Sequence, residues 1–314
     1  MKILLIDSHK GTMAPAQNLH WLNANKLRNY LVQLGHSVDF IWSYPSVNDT
    51  IGEGYDRIIF NHTSRYSYVA NEWISKSPNA KILYITNEYN LGEPLVLWSF
   101  LKSSGVTYDV IANHPASASK VVKKYVNNWH ILNLNALIIE EEPLLPTHDF
   151  FTVPKDHCVY YGSFRKNRTA YFQKYLTGNI VVSTHAKNRE KFNNINVVGP
   201  FRDRINWSKN GLAPYKTSLY IEDDVTHTNY NFLANRFYES LNYNVFPVFD
   251  TACKNTLSLS GYDIPEFAMV DNPEDVEYIT SNLPLEAQDY FSMWRSRALA
   301  EKHDVLQQLS QIIL

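Results

Sequence analysis

Four short segments of the chain hold residue types at spacings that could do chemistry. In Tyr160-Tyr161-Gly162-Ser163-Phe164-Arg165-Lys166-Asn167-Arg168 an apolar strand pattern ends at a Gly-Ser turn and runs into a helical pattern. Backbone N–H groups at such a helix start, with three cations beside them, suit a diphosphate. Arg165 and Arg168 stand three apart, which lets both reach one side of the helix start. Cations at a helix N-terminus oppose the macrodipole, so an anionic partner explains them better than a solvated turn does. In Asn235-Arg236-Phe237-Tyr238-Glu239-Ser240, Arg236 and Glu239 are also three apart. A guanidinium suits phosphate and a carboxylate suits the vicinal hydroxyls of a ribose. On spacing alone, an i,i+3 surface ion pair is the stronger reading of those two residues.

The third segment, Thr86-Asn87-Glu88-Tyr89-Asn90-Leu91, directly follows a strand pattern, where Glu88 is placed equally well as a general base or as a turn or cap residue. The fourth, Ser8-His9-Lys10-Gly11-Thr12, follows the first strand, and Gly11 permits close approach of the backbone to a ligand. Lys10 could face a phosphate there or be a solvated loop lysine. A dinucleotide G-x-G-x-x-G, a P-loop and a Cys/His zinc spacing are all absent from the sequence.

The elements that must position these segments are legible as alternation. In the first half, strand patterns cover Lys2–Asp7, Ser37–Trp42, Arg57–Asn61, Lys81–Thr86, Tyr108–Asn113 and His130–Leu134. Leu19, Leu22, Leu27, Tyr30, Leu31 and Leu34 recur at near-helical spacing up to Gly35, and Val69–Lys76, Glu93–Lys102 and Ser117–Tyr125 read as shorter helices. Strands alternating with helices across short connections predict a parallel, doubly wound α/β sheet, with ligands beyond the carboxyl ends of its strands. The acid- and proline-rich stretch Leu145–Asp156 reads as a linker. Alternation then resumes with strands at Cys158–Tyr161, Ile180–Ser183, Ser218–Ile221, Val245–Phe249 and Phe267–Val270, and helices at Arg168–Leu176 and Leu233–Leu241. Asn272-Pro273-Glu274 has a cap and a proline suited to a helix start, and Leu285–Leu314 reads as one or two long helices. The expected domains are residues 1–145 and 157–314.

Composition agrees with two soluble-type cores and removes several classes. The chain has 314 residues, 45% of them hydrophobic and 19% charged, which excludes a disordered polymer. Two cysteines, Cys158 and Cys253, exclude a disulfide framework. No apolar run approaches a membrane span, and the N-terminal run reads as a strand rather than a signal peptide. The 29 Lys and Arg against 31 Asp and Glu exclude a globally basic nucleic-acid coat, while leaving room for a local basic cleft.

With these segments in place, the chain resembles the bacteriophage T4-type DNA β-glucosyltransferases. Tyr161-Gly162-Ser163-Phe164-Arg165 with Arg168 is similar to that family's Gly-Gly-Ser-Phe-Arg motif and second arginine, with Tyr161 in place of the first glycine. Arg189-Glu190-Lys191-Phe192 resembles a basic stretch that follows it, and Asn231-Phe232 through Glu239 resembles the Asn-Phe…Arg-x-x-Glu segment. The strand from Lys81 and the residues up to Leu91 are similar to the strand bearing the family's catalytic aspartate, with Glu88 at the matching position.

The resemblance implies a GT-B fold: two Rossmann-like domains facing across a cleft, with a C-terminal helix packing back. It implies an inverting transfer of glucose or a related hexose or pentose from a UDP-sugar to a hydroxymethylated pyrimidine in phage DNA, an anti-restriction modification. Glu88 would be the base. Gly11, Gly162, Ser163, Arg165, Arg168, Arg236 and Glu239 would hold the donor, with Arg236 on phosphate and Glu239 on ribose. UDP-sugar enters as a co-substrate, there is no resident metal, and a divalent ion is compatible but not required. The target base would be flipped out against Arg65, Tyr66, Lys120, Lys123 and Lys124, with Tyr68 close by. The expected protein is a monomer without membrane attachment, in the cytoplasm of the host if it is phage-encoded. The near-neutral charge departs from the basic character of such enzymes, and it favours the alternative of a glycan, lipid or protein acceptor on the same fold. A nucleotide-sugar or DNA-binding protein without catalysis is the third reading.

Overall fold

The computed structural model describes residues 1–7, 19–41, 52–61, 72–86, 106–112, 126–142, 157–197, 199–207, 211–223 and 232–314. Two compact units emerge: Met1–Leu137 with His303–Leu314, and Ile138–Lys302.

In the first unit, β1 (Lys2–Asp7), β2 (Ser37–Ile41), β3 (Arg57–Asn61), β4 (Lys81–Thr86), β5 (Tyr108–Ala112) and β6 (Val126–Ile131) form one parallel sheet in the order β2-β1-β3-β4-β5-β6. The continuous apolar runs follow from burial on both faces, with side chains alternating between them. Leu4, Ile6, Ile58 and Phe60 pack with Tyr55 and Trp73, whereas Ile3, Leu5 and Ile59 pack on the other face. That second face is covered by α1 (Leu19–Gln33), through Leu27 and Leu31, and by Val305, Leu309 and Ile313 near the C-terminus. The helix expected up to Leu34 stops one turn-residue earlier, and Leu34 is 41% exposed as the chain turns through Gly35 at φ +83°.

Two strands depart from expectation: in the second unit the strand expected at Phe267–Val270 narrows to Met269–Val270, because Glu266–Ala268 coil into a 3-10 turn, and in the first unit the last strand is shifted. The residues His130–Leu134 do not form the last strand; it runs from Val126 to Ile131, and Leu134–Ile138 coil into a 3-10 helix. β6 is an edge strand and therefore polar (Val-Asn-Asn-Trp-His-Ile), while the apolar residues after it leave the sheet to be buried in the 3-10 turn. Of the helix expected at Val69–Lys76, residues 72–75 are helical. The helices expected at Glu93–Lys102 and Ser117–Tyr125 and the stretch Leu145–Asp156 lie outside the described residues.

The second unit holds β7 (Cys158–Tyr161), α2 (Thr169–Tyr175), β8 (Val181–Ser183), α3 (Ala186–Asn193), β9 (Phe201–Arg202) and β10 (Thr217–Tyr220). There follow α4 (Asn235–Asn242), β11 (Phe246–Asp250), α5 (Lys254–Ser260), β12 (Met269–Val270), α6 (Pro273–Ser281) and the start of α7 (Ala287–Ile313). Its sheet is parallel, in the order β12-β11-β10-β7-β8-β9. The Asn272 side chain caps α6 by accepting from the Asp275 N–H at 2.8 Å, with Pro273 at the first turn. Strand order reverses between β7 and β10, and such a reversal is where open α/β sheets bind ligands.

α7 supplies residues up to Lys302 to the second unit and the rest to the first. Within the second unit, Trp294 is buried and donates to the Asp263 carbonyl at 2.7 Å. Within the first, the last carbonyls, which a helix end leaves without intrahelical donors, accept from cations at the sheet's amino edge: Ile313 and Leu314 from Arg57, Ile312 from Lys81. Leu309 is fully buried in the first unit's core, so Leu309→Ala should cost about 2–5 kcal/mol of that unit's stability, read as a lowered denaturation midpoint.

Candidate functional site

The switch point of the second sheet gathers the chemistry. β7 ends at Tyr161 and the chain turns at Gly162, whose N–H donates to the Ser183 carbonyl (3.1 Å) and whose carbonyl accepts from Thr184 Oγ1 (2.7 Å). Gly162 has φ +150°, a conformation that side-chain-bearing residues rarely adopt. A Cβ there would lie 3.3 Å from Tyr160 Oη and 3.8 Å from Arg236 Nη2. The turn after β7 and the first turn of α4 therefore meet, although 74 positions separate them in the sequence.

Arg236 is held on several sides. Its Nη1 donates to the Ile221 carbonyl at 2.6 Å and lies 3.4 Å from Glu222 Oε1, and its guanidinium sits over the rings of Tyr160 (5.4 Å) and Tyr220 (5.9 Å). Burial is the largest single influence and works against the charge, but Glu222 together with Tyr160, Tyr161 and Tyr220 outweighs it and the guanidinium's pKa is raised. Arg168 departs from expectation. It does not stand beside Arg165 facing outward: it is 4% exposed and turned inward, with Nη2 donating to Glu222 Oε2 and both Nε and Nη2 donating to Asp223 Oδ2 at 3.2 Å. Glu222 thus bridges two arginines. Arg165 and Ser163 are exposed, and the Arg165 guanidinium makes no hydrogen bond or ion pair with the described residues. The helix expected to begin at Arg168 begins instead as a 3-10 turn over Lys166–Arg168, with α2 following.

Glu239 also departs from its simplest reading. It is not half of a surface pair with Arg236, because α4 is interior from Phe237 to Asn242. Glu239 is 2% exposed, and neither carboxylate oxygen has a hydrogen-bond partner in the described structure. The adjacent Tyr161 hydroxyl donates to the Arg236 carbonyl at 3.0 Å. Burial pushes the Glu239 carboxyl up to about 7, against the opposing pull of Tyr161, Arg236 and Arg204. α4 is fixed around it: Tyr238 donates to Glu301 Oε2 at 2.9 Å, Ser240 pairs with Ser218 at 2.7 Å, and the Asn242 side chain bonds Ile138 and Glu140 backbone groups.

Chemically, this corner offers a fixed guanidinium, an open glycine turn, an exposed second guanidinium and a desolvated carboxylate without a partner. Those groups suit a ligand that brings both anionic oxygens and hydroxyl donors. Glu222, Asp223 and Arg204 escaped sequence reasoning. Glu222 and Asp223 follow β10 as Gly162 follows β7, so the carboxyl-edge rule would have flagged them had the strand order been known. Gly11, Arg65, Tyr66, Glu88, Lys120, Lys123 and Lys124 lie outside the described residues. Among the described residues no group of three His, Cys, Asp or Glu side chains could hold a metal ion, and no helix is long and apolar enough to cross a membrane.

Two parallel six-stranded α/β sheets with a long C-terminal helix define the GT-B fold of glycosyltransferases. Solved structures of that fold align over nearly the whole chain. T4 phage β-glucosyltransferase in complex with its UDP-glucose substrate aligns at 17% identity with a TM-score of 0.65, covering 98% of this chain and 95% of that one. A second T4 phage β-glucosyltransferase structure, on substrate binding and proposed catalytic mechanism, gives 18% and 0.62 at the same coverage. An α-glucosyltransferase in complex with UDP-glucose and DNA containing an abasic site gives 11% and 0.56, covering 99% and 95%. No protein-family model and no curated protein sequence matches the chain.

Two outcomes test the electrostatics of this corner. Glu222→Gln removes the countercharge shared by the buried Arg168 and the partly buried Arg236 and should lower stability by about 3 kcal/mol, measured by chemical denaturation. Because the folded Glu239 pKa is raised from 4.5 to about 7, the folded state keeps a proton that the unfolded state loses. Its stabilising contribution is complete below pH 4.5 and is lost as pH rises through 7, up to about 3 kcal/mol in all. Glu239→Gln should flatten that fall and leave the ligand-free protein more stable than the parent at pH 8, as compared by urea midpoints at pH 5 and pH 8.

Proposed function

We propose that this chain is a UDP-sugar-dependent glycosyltransferase that moves a hexose or pentose to the hydroxyl of a hydroxymethylated pyrimidine in DNA, with inversion at the anomeric carbon. The observation that carries the reading is Glu239, a buried carboxylate with no hydrogen-bond partner beside the fixed guanidinium of Arg236 at the sheet's switch point. A nucleoside diphosphate supplies what both lack: ribose hydroxyls for the carboxylate and phosphate oxygens for the guanidinium. The solved neighbours are support of the same kind, since they are described with UDP-glucose and, in one case, with DNA.

In this reading Arg236 and Arg165 bind the diphosphate, with the backbone of Gly162 and Ser163 approaching it closely and Gly11 contributing a donor loop from the first unit. Arg168 acts through Glu222 rather than on the ligand. As the sugar's bond to the diphosphate breaks, negative charge grows on the leaving oxygen, and fixed guanidiniums stabilise it without reorganising. Removing one such donor typically costs about 10²–10³ in rate. Glu88 accepts the proton of the attacking hydroxyl, a step that contributes typically about 10²–10⁴. The oxygen attacks the anomeric carbon from the face opposite UDP, so the C–O bond forms as the bond to UDP breaks, and the configuration inverts. No metal is assigned a role, and the protein acts as a monomer. Arg65, Tyr66, Lys120, Lys123 and Lys124 are the first unit's candidates for holding DNA around the extruded base.

Mass spectrometry of hydroxymethylated DNA after incubation with a panel of UDP-sugars tests the reaction directly: a mass gain of one sugar is expected, and no gain with any donor overturns it. Glu88→Gln should retain UDP binding in calorimetry and lose transfer by at least about 100-fold, whereas Arg236→Ala should lose UDP binding.

A further inference from the structure

The carboxyl ends of β7, β8 and β9 carry more positive charge than a diphosphate can use. β7, β8 and β9 are consecutive in the sheet, with Tyr161 beside Ser183 and Ser183 beside Arg202. The segments that leave this edge, residues 162–168, 184–191 and 202–204, are tied together. Gly162 bonds Ser183 and Thr184, the Thr184 N–H donates to the Arg202 carbonyl at 3.2 Å, and Ser183 Oγ donates to the Asp203 carbonyl at 2.7 Å. They hold eight Lys and Arg against two acids, in a chain with 29 against 31 overall. Arg168 is buried on carboxylates and Arg189 is paired with Asp203 at 2.6 Å. Arg165, Lys166, Lys187, Lys191 and Arg202 are exposed, and their side-chain cations make no hydrogen bond or ion pair with the described residues.

Their arrangement is unfavourable without an anion. Lys187 lies in the first turn of α3, which has no acidic residue there, so its charge opposes the helix dipole. Lys187 and Lys191 are four apart on one face of that helix, a like-charge pair that repels. His185, at the amino end of α3, has its pKa lowered by burial and then by Arg204 and Lys187, which reports the same positive field.

Spacing decides the kind of anion. Lys187 and Lys191 stand about 6 Å apart along α3, and Arg202 lies on a separate element at the end of β9, so the exposed cations are distributed over two elements rather than set at one point. A polymer with a phosphate at every residue meets such a row. An acceptor attacking the sugar carbon must also bring its own backbone close to the diphosphate, and this edge adjoins Gly162.

We propose that Lys187, Lys191 and Arg202, on the carboxyl edge of the second unit's sheet, form a docking surface for the phosphate backbone of the nucleic-acid acceptor. The proposal rests on the acceptor being DNA, as argued above. It adds a contact surface on the second unit to the candidates on the first, and it explains how a chain of net charge −2 meets a polyanion.

The test compares the full-length parent with the triple variant Lys187→Gln, Lys191→Gln, Arg202→Gln. Binding to a duplex carrying 5-hydroxymethylcytosine is measured by fluorescence anisotropy across a salt series, and UDP binding by calorimetry. Each lost phosphate contact reduces the slope of log K against log salt by about 0.9. The variant should therefore show a slope shallower by about 2–3, affinity lower by about 100-fold near 0.1 M salt, and unchanged UDP affinity. A second variant that keeps the charges, Lys187→Arg with Lys191→Arg, should behave as the parent. Equal slopes for parent and triple variant overturn the docking surface while leaving the acceptor assignment standing. A matching loss of UDP affinity overturns it in favour of a donor role for these cations. A parent that binds UDP but no duplex at any salt overturns the DNA acceptor itself, and the surface with it.

Discussion

Burying a carboxylate without a hydrogen-bond donor is among the costlier things a fold can do, and the second unit does it at Glu239 while surrounding it with well-satisfied neighbours. Ser240 pairs with Ser218, Tyr238 with Glu301, and Asn242 with the backbone at Ile138 and Glu140. α4 therefore cannot rotate or slide to give the carboxylate a partner. The carboxylate responds by holding its proton more tightly than an exposed glutamate would. A desolvated carboxylate of this kind persists only because the surrounding contacts fix the helix that carries it.

The arginines obey the opposite rule. Arg168 is buried like Glu239 and Arg236 is partly buried, yet each is matched: Glu222 lies between them and Asp223 completes the shell of Arg168. Arg168, which local sequence marks as a ligand residue, is a strut instead. Its guanidinium neutralises and orients the carboxylate that orients Arg236. Two arginines balanced by two acids leave little surplus positive charge at the switch point, so an incoming diphosphate needs more than Arg236. Arg165 at the turn is the exposed cation nearest in sequence to supply it. A buried ion network of this type contributes orientation more than stability, since desolvation offsets most of the Coulomb gain.

The same economy of charge appears at larger scale. A near-neutral chain argues against nucleic-acid partners if charge is averaged over the molecule. The average conceals a segregation that sheet order creates: loops distant in sequence are brought to one edge, and their lysines and arginines add up there. Lys187 at the amino turn of α3 opposes the helix dipole while Lys191 in the last turn suits it, so a helix of eight residues draws its stability from packing Phe192 rather than from its charges.

How far the sequence reached depends on the range of each interaction. Parallel strands buried on both faces must be continuous apolar runs, so β1, β3, β4 and β7 are legible to the residue. The polar edge strand β6 lacks that signature and was misplaced by several residues. Gly162 and the Arg236–Glu239 spacing are local signals, and the fold brings Gly162 and Arg236 together at one corner of the second unit. The partners of those residues are not local. Glu222 and Asp223 meet Arg168 across 54 and 55 positions, and Arg236 meets the Gly162 turn across 74, because β10 pairs with β7 rather than with β9. Spacing along the chain determined which residue types stand near one another locally; strand order alone decided which of them meet across the sheet, and which carboxylate is left without a hydrogen-bond partner among the described residues.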